Sequence, residues 1–125
     1  MLSIVVPVFN EEESLPIFYK TLIKIAPQLD KSYEIIFVDD GSTDGSFDIL
    51  KRFEKENSRV RIFSFRKNQG KAEALTFGFQ KSLGDYIITL DADLQDKPSE
   101  FPKLLEKPKK GLMLSVVGGK TGKTH

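Results

Sequence analysis

Two carboxylates separated by one alanine, Asp91-Ala92-Asp93, follow the apolar run Tyr86-Ile87-Ile88-Thr89-Leu90. In extended chain, residues two apart project to the same side. Both could hold one divalent cation, or one could hold it directly and the other through water. Gln95 continues that face as a neutral oxygen donor. A second acidic pair, Asp39-Asp40, leads into Gly41-Ser42-Thr43-Asp44, and a third polar segment reads Asn10-Glu11-Glu12-Glu13. The fourth is basic: Arg66-Lys67-Asn68-Gln69-Gly70-Lys71. Carboxylates alone would suit a cation, and basic groups alone an anion. Together they suit an anion bound through a divalent metal, such as a nucleoside diphosphate with magnesium. Turns at Gly41 and Gly70 leave room for phosphate.

Each signal also has an ordinary structural account. Asp-x-Asp spacings are common in turns and caps, but this one sits directly behind a buried run. Ser42 and Thr43 suit a helix cap, which leaves two carboxylates unexplained. Glu11, Glu12 and Glu13 suit the positive end of a helix dipole. Arg66, Lys67 and Lys71 would serve equally as a solvated face. The phenylalanines read as core, with Phe9 the one assigned a ligand-facing role. Gly118 to Thr124 ends like a phosphate-binding P-loop, but three residues separate Gly118 from Gly122 where that loop needs four, and no helix follows.

The elements that must position these residues are read from hydropathy. Ser3–Val8, Glu34–Val38, Val60–Phe65 and Tyr86–Leu90 read as strands. The first, second and fourth are near-continuous apolar runs, as in strands buried on both faces of a parallel sheet. The third alternates more, which places it near an edge. Between them the period becomes helical: Leu15, Phe18, Leu22 and Ile25; Phe47, Leu50 and Phe53; Ala72, Leu75 and Phe79. Helix starts are expected at Asn10, at Ser42-Thr43 and at Pro98. Leu112–Val117 reads as a fifth strand. The alternation predicts an α/β fold, a mostly parallel open sheet with helices on both faces and right-handed crossovers. In a parallel sheet all strand ends share one edge, so the four polar segments converge on one crevice.

Composition narrows the chemistry. The chain has 125 residues, 39% apolar and 30% charged, with a net charge of +1. That describes one soluble globular domain with no electrostatic case for nucleic acid. Zero cysteines exclude a disulfide framework, a thiolate nucleophile and a cysteine zinc site, and the single histidine, His125, is terminal. No run approaches the roughly 18 apolar residues that span a bilayer. A cytoplasmic protein is expected, one that could still sit against a membrane.

Taken together, Val5-Val6-Pro7-Val8-Phe9-Asn10-Glu11-Glu12, Val38-Asp39-Asp40-Gly41-Ser42-Thr43-Asp44, Arg66-Lys67-Asn68-Gln69-Gly70-Lys71 and Leu90-Asp91-Ala92-Asp93-Leu94-Gln95-Asp96 resemble the family 2 glycosyltransferases. The Asp-Ala-Asp-Leu-Gln form is especially similar to polyprenyl-phosphate sugar transferases, the dolichol-phosphate mannosyl and undecaprenyl-phosphate glucosyl enzymes among them. The resemblance implies the Rossmann-like GT-A nucleotide-diphospho-sugar transferase fold. It implies that Pro7, Phe9 and Glu11 line a nucleotide pocket, that Asp40 contacts the base and that Lys71 sits near the diphosphate. Asp91 and Asp93 would be catalytic, and with Gln95 would hold Mg2+ or Mn2+ on a UDP- or GDP-sugar. The sugar would pass with inversion to an acceptor, polyprenyl phosphate at the cytoplasmic face of a membrane.

The resemblance covers residues 1–107, the nucleotide-sugar-binding half of such a domain, and leaves 108–125 as an atypical tail. Codons that the tail admits, read in a shifted frame, encode IDVVSGWRKNRKD, the continuation that relatives lead one to expect. A frame change near Lys107 or Pro108 would account for it, and the coding DNA decides. A chain so shortened would expose core surface and self-associate through it. Two other readings stand beside transfer: a nucleotide-sugar-binding fragment without turnover, and a flavodoxin- or receiver-like magnesium-binding domain.

Overall fold

β-branched residues are stiff and pack well on a pleated surface. The two richest runs, Ile4-Val5-Val6 and Ile35-Ile36-Phe37-Val38, are fully buried and form the centre of the sheet. The computed structural model describes residues 1–92. Its elements are β1 (Leu2–Val8), α1 (Leu15–Leu29), β2 (Tyr33–Asp39), α2 (Ser46–Glu56), β3 (Val60–Ser64), α3 (Lys71–Lys81) and β4 (Tyr86–Thr89). All strand pairs are parallel, in the order β3-β2-β1-β4. The more alternating strand, β3, lies at an edge as its pattern predicted. The expected helix behind Pro98, the fifth strand, the boundary near residue 107, and Asp93 and Gln95 lie outside the described residues.

Side-chain alternation assigns the helices to faces. Ile4, Val6 and Val8 share a face with Ile35, Phe37 and Asp39, to which they are registered in turn. On this side Tyr19 of α1 stacks on Phe53 of α2 at 3.9 Å between ring centroids, and both rings tilt against Phe37. The other face carries Val5, Ile36 and Val38. Gly78 of α3 rests there: a Cβ at that position would run into Val5 and come up against Val38. Helices therefore cover both faces. The chain steps from β1 to β2 to β3 in one direction, then returns through α3 to place β4 on the far side of β1. Right-handed crossovers require α3 to lie opposite α1 and α2 when the direction reverses.

The packing of α3 differs from the expected Ala72-Leu75-Phe79 stripe. Ala72 is exposed, and the buried residues are Ala74 and Gly78, with Leu75, Phe77 and Phe79 half-buried beside them. Small residues let the helix approach the sheet closely. The larger rings pack sideways, Phe77 meeting Phe63 and Phe65 edge-on.

A polar latch at the amino-terminal edge fixes where β4 begins. Glu34, 5% exposed, accepts hydrogen bonds from the Ser3 hydroxyl and the Leu83 N–H, each at 2.7 Å, and from Arg61 at 2.8 Å. Ser3 Oγ in turn accepts the Gly84 N–H at 2.9 Å. This sets the height from which β4 delivers Asp91 to the opposite edge. Among the described residues, no helix is long and apolar enough to cross a membrane.

Candidate functional site

β4 stops short. Its last residue, Thr89, is registered with Val5, whereas β1 and β2 run on together to Val8 and Asp39. The Leu90 N–H still bonds to the Val5 carbonyl at 3.1 Å, and then pairing ends. A notch is left beside the last turn of β1. Val5 faces β4 and Val8 faces β2, where its carbonyl accepts the Asp40 N–H. By alternation Pro7 faces the notch. A proline is tolerated there because its missing N–H has no strand to serve. Strand order also reverses at this point, between β1 and β4, where open α/β sheets bind their ligands.

A recess of about 180 Å³ opens at the notch, lined by Pro7, Val8, Phe9, Glu11, Asp40, Lys71, Asp91 and Ala92. Pro7, Phe9, Glu11, Asp40, Lys71 and Asp91, singled out from sequence, thus come together on one wall although they come from four separate segments. Arg66 and Lys67, equally basic, are exposed and do not line it. Phe9 is 44% exposed, an unusual setting for so large an apolar ring in a packed domain. Lys71, the first residue of α3, places its ammonium 2.6 Å from Asp91 Oδ1.

The loop behind β1 is held by the loop behind β2. Asn10 adopts φ 52°, a left-handed conformation that asparagine tolerates better than most residues. Its N–H donates to Ser42 Oγ, and its Oδ1 accepts the Thr43 N–H, both at 2.8 Å. Glu12 Oε1 accepts the Gly45 N–H at 2.6 Å, and Asp44 Oδ2 accepts the Glu12 N–H at 3.3 Å. The Glu11 N–H donates to Ser46 Oγ at 2.8 Å, and Glu11 Oε1 accepts the Ser14 hydroxyl at 2.8 Å. These bonds correct the expected helix starts. α1 begins at Leu15 and α2 at Ser46, several residues later than the polar runs suggest. Glu12 serves the amino end of α2 across the loops, not its own helix. Slight burial opposes ionisation of Asp44, but the Ser46 hydroxyl and N–H and the Glu12 N–H outweigh it and hold its carboxyl below the usual range.

The two aspartates at the end of β2 part company, because consecutive residues face opposite sides of a sheet. Asp40, 3% exposed, points toward the start of α3. Its Oδ1 accepts the Gln69 N–H at 2.7 Å, and its Oδ2 accepts the Gly70 N–H at 3.0 Å and the Asn68 amide at 2.9 Å. It shapes the loop that presents Lys71. Gly41, at φ 74°, does not leave space for phosphate as expected. A Cβ there would strike the Lys67–Asn68 backbone, so its space admits the neighbouring loop. Gly70, at φ 108°, does face open space.

Asp39, 2% exposed, sits on the α1–α2 side and was not among the predicted site residues. Among the described residues, Oδ2 takes only a long bond from Ser64 Oγ at 3.4 Å, and Oδ1 has no partner at hydrogen-bond geometry. Burial raises its pKa, opposed by the nearby Ser42 hydroxyl and N–H and by Ser64. The doubled aspartate was visible in the sequence, but which of the two would keep an oxygen unpartnered among the described residues was not.

No group of three or more His, Cys, Asp or Glu side chains that could hold a metal occurs among the described residues. Asp91 nonetheless fits the cation role expected of it: its carboxylate lines the recess and already carries a positive group, the Lys71 ammonium.

Undecaprenyl-phosphate 4-deoxy-4-formamido-L-arabinose transferase of Proteus mirabilis is 44% identical over 117 residues, 93% of this chain and 35% of that protein. The chain therefore spans about a third of the length of the curated relatives it matches. Mannosyltransferase PcManGT from Pyrobaculum calidifontis, solved with GDP-Man and Mn2+, superposes with a TM-score of 0.66 at 24% identity, over 74% of this chain and 27% of that one. S. aureus TarS 1-349 in complex with UDP gives 0.65 at 21% identity, over 82% and 32%. At these identities the two structures establish a shared fold, the GT-A fold of glycosyltransferases. Residues 3–123 match the model of the family described as glycosyl transferase family 2. The chain belongs to glycosyl transferase family 2.

Proposed function

We propose that this chain is the nucleotide-sugar-binding part of a glycosyltransferase that moves a sugar from a UDP- or GDP-sugar to a polyprenyl phosphate. The observation that carries the reading is the recess itself. Aromatic, acidic and basic residues from four segments meet at the reversal of strand order. The Proteus mirabilis relative, an undecaprenyl-phosphate 4-deoxy-4-formamido-L-arabinose transferase, supports the lipid-phosphate acceptor, and with it action at a membrane surface. The ligands of the two solved structures support a nucleotide-sugar donor.

In this reading Phe9 offers an exposed ring for the base to pack on. Asp40, already fixed by loop donors, presents its remaining acceptor capacity toward the base. Pro7 and Glu11 wall the nucleotide pocket, and Lys71 supplies positive charge to the diphosphate. Asp91, with Asp93 and Gln95, would hold Mg2+ or Mn2+, which when bound screens charge on the departing diphosphate. An acceptor phosphate oxygen attacks the anomeric carbon from the face opposite the nucleotide. The bond from that carbon to the diphosphate oxygen breaks, its electron pair leaves with the nucleoside diphosphate, and the carbon is inverted. A phosphate monoester is already ionised near neutral pH, so the acceptor needs no general base.

Calorimetric titration with UDP and GDP, with and without Mn2+, tests the donor side. Transfer from UDP-glucose or GDP-mannose to undecaprenyl phosphate tests the acceptor side. Metal-strengthened binding of one nucleotide is expected. Binding without transfer by the 125-residue chain supports the second reading, a binding fragment. Magnesium binding with no affinity for either nucleotide refutes the proposal.

A further inference from the structure

Lys71 and Asp91 form an ion pair inside the recess. The contact is short, 2.6 Å, yet the side chains are 60% and 52% exposed. Exposed pairs of this kind are weak and readily exchanged. The two partners also differ in how they are attached. Asp91 stands two residues beyond β4, whose start is pinned by the Glu34 latch. Lys71 carries a point charge on a flexible four-carbon stem. It follows Gly70, which has open space around it.

We propose that Lys71 is an exchangeable internal counter-ion of Asp91. It gives up that carboxylate to an incoming divalent cation and turns its ammonium to the phosphates of the donor, so that cation and nucleoside diphosphate bind cooperatively. The proposal rests on the donor-binding reading above and deepens it. A divalent cation takes oxygen ligands and carries twice the charge of an ammonium, so it competes for Asp91 on favourable terms. The released ammonium has three N–H donors and needs an anion. Asp40 cannot supply one freely, because both its oxygens are already held by the Asn68–Gly70 loop. A diphosphate bound in the same recess would satisfy Lys71 with oxygens that carry more charge than the Glu11 carboxylate beside it. Coupling of this kind is reciprocal: whatever factor the cation adds to nucleotide affinity, the nucleotide adds to cation affinity.

The test uses the 125-residue chain and calorimetry with Mn2+ alone, UDP or GDP alone, and each in the presence of the other. Lys71→Met removes the competing charge, Lys71→Arg keeps it, and Lys67→Met removes a charge one loop away. Lys71→Met is expected to tighten Mn2+ binding about two- to five-fold without nucleotide, the range an exposed pair spans. The factor by which Mn2+ strengthens nucleotide binding should fall by at least as much. Lys67→Met should bind Mn2+ as the wild type does, Lys71→Arg should bind it no more tightly than the wild type, and circular dichroism should show all four proteins folded alike. Equal Mn2+ affinity in wild type and Lys71→Met overturns the exchange. So does an equal gain in Lys67→Met, which would mean a general field with no contact. A wild type that binds both ligands while Lys71→Met matches it defeats only this inference. A wild type that binds neither defeats the donor reading as well.

Discussion

Replacing Asp40 by Asn tests whether this carboxylate fastens the loop that presents Lys71. The wild-type side chain accepts three hydrogen bonds, from Gln69 N–H, Gly70 N–H and the Asn68 amide, at 2.7, 3.0 and 2.9 Å. An asparagine of the same shape has one acceptor oxygen. If that oxygen keeps Gln69, the new NH2 group faces two donors, Gly70 N–H and the Asn68 amide. Hydrogen bonds to a charged group contribute about 1.5–3 kcal/mol each, but losses within one cluster are not additive, and donors that are only partly buried recover water. A net loss of about 2–3 kcal/mol follows, against a total stability of about 5–15 kcal/mol for a domain. In a domain of 125 residues each kcal/mol moves Tm by about 3–6 °C, so Asp40→Asn should melt roughly 6–18 °C below wild type. Urea unfolding followed by circular dichroism reads the free energy directly. A variant within about 0.5 kcal/mol of wild type would show that the three contacts are not held in solution, and the account of how Lys71 reaches the recess would fail with them.

Asp39→Asn should alter how stability depends on pH. Burial raises the Asp39 pKa, so between the ordinary carboxylate value and the raised one the folded state holds more proton than the unfolded state. Stability from this group then falls as pH rises through that window; the variant should lose that component, and identical slopes in paired urea titrations would refute it. Glu12→Ala removes the acceptor of the Gly45 N–H and should cost about 0.5–2 kcal/mol in urea unfolding, with amide exchange quickening first in the opening turn of α2. Gly78→Ala places a methyl against Val5 and Val38. Overpacking of about 1–3 kcal/mol should exceed the helix-propensity gain of about 1 kcal/mol, so thermal melting should show a less stable protein.

The strands, their parallel arrangement and the crevice were legible in the chain because they depend on local hydropathy. Ile4-Val5-Val6 and Ile35-Ile36-Phe37-Val38 are too uniformly apolar for a half-exposed sheet, and the polar segments that follow must then share one edge. Pro7 inside β1 was harder to place. Only the early end of β4 shows why its missing N–H does no harm. The helix starts were misread because Asn10, Glu12, Ser42 and Asp44 look like caps of their own helices. The partners of Asn10, Glu12 and Ser42 lie about thirty residues away, across the loops, and Asp44 bonds both ways, to the Glu12 N–H and to the Ser46 N–H that opens α2. The stripe on α3 was misread for a related reason. Periodicity marks large residues, while the closest approach to the sheet is made by Gly78.

What the amino-acid order alone determined, then, is which segments carry acid, base and aromatic groups and that one sheet edge collects them. Which aspartate of the pair Asp39-Asp40 holds a loop and which is buried with one oxygen short of a donor, and which lysine of the basic loop meets Asp91, were decided by the tertiary structure. Burial pattern is written in neighbouring residues. The partner of a loop donor or acceptor depends on distances between segments that no local pattern records.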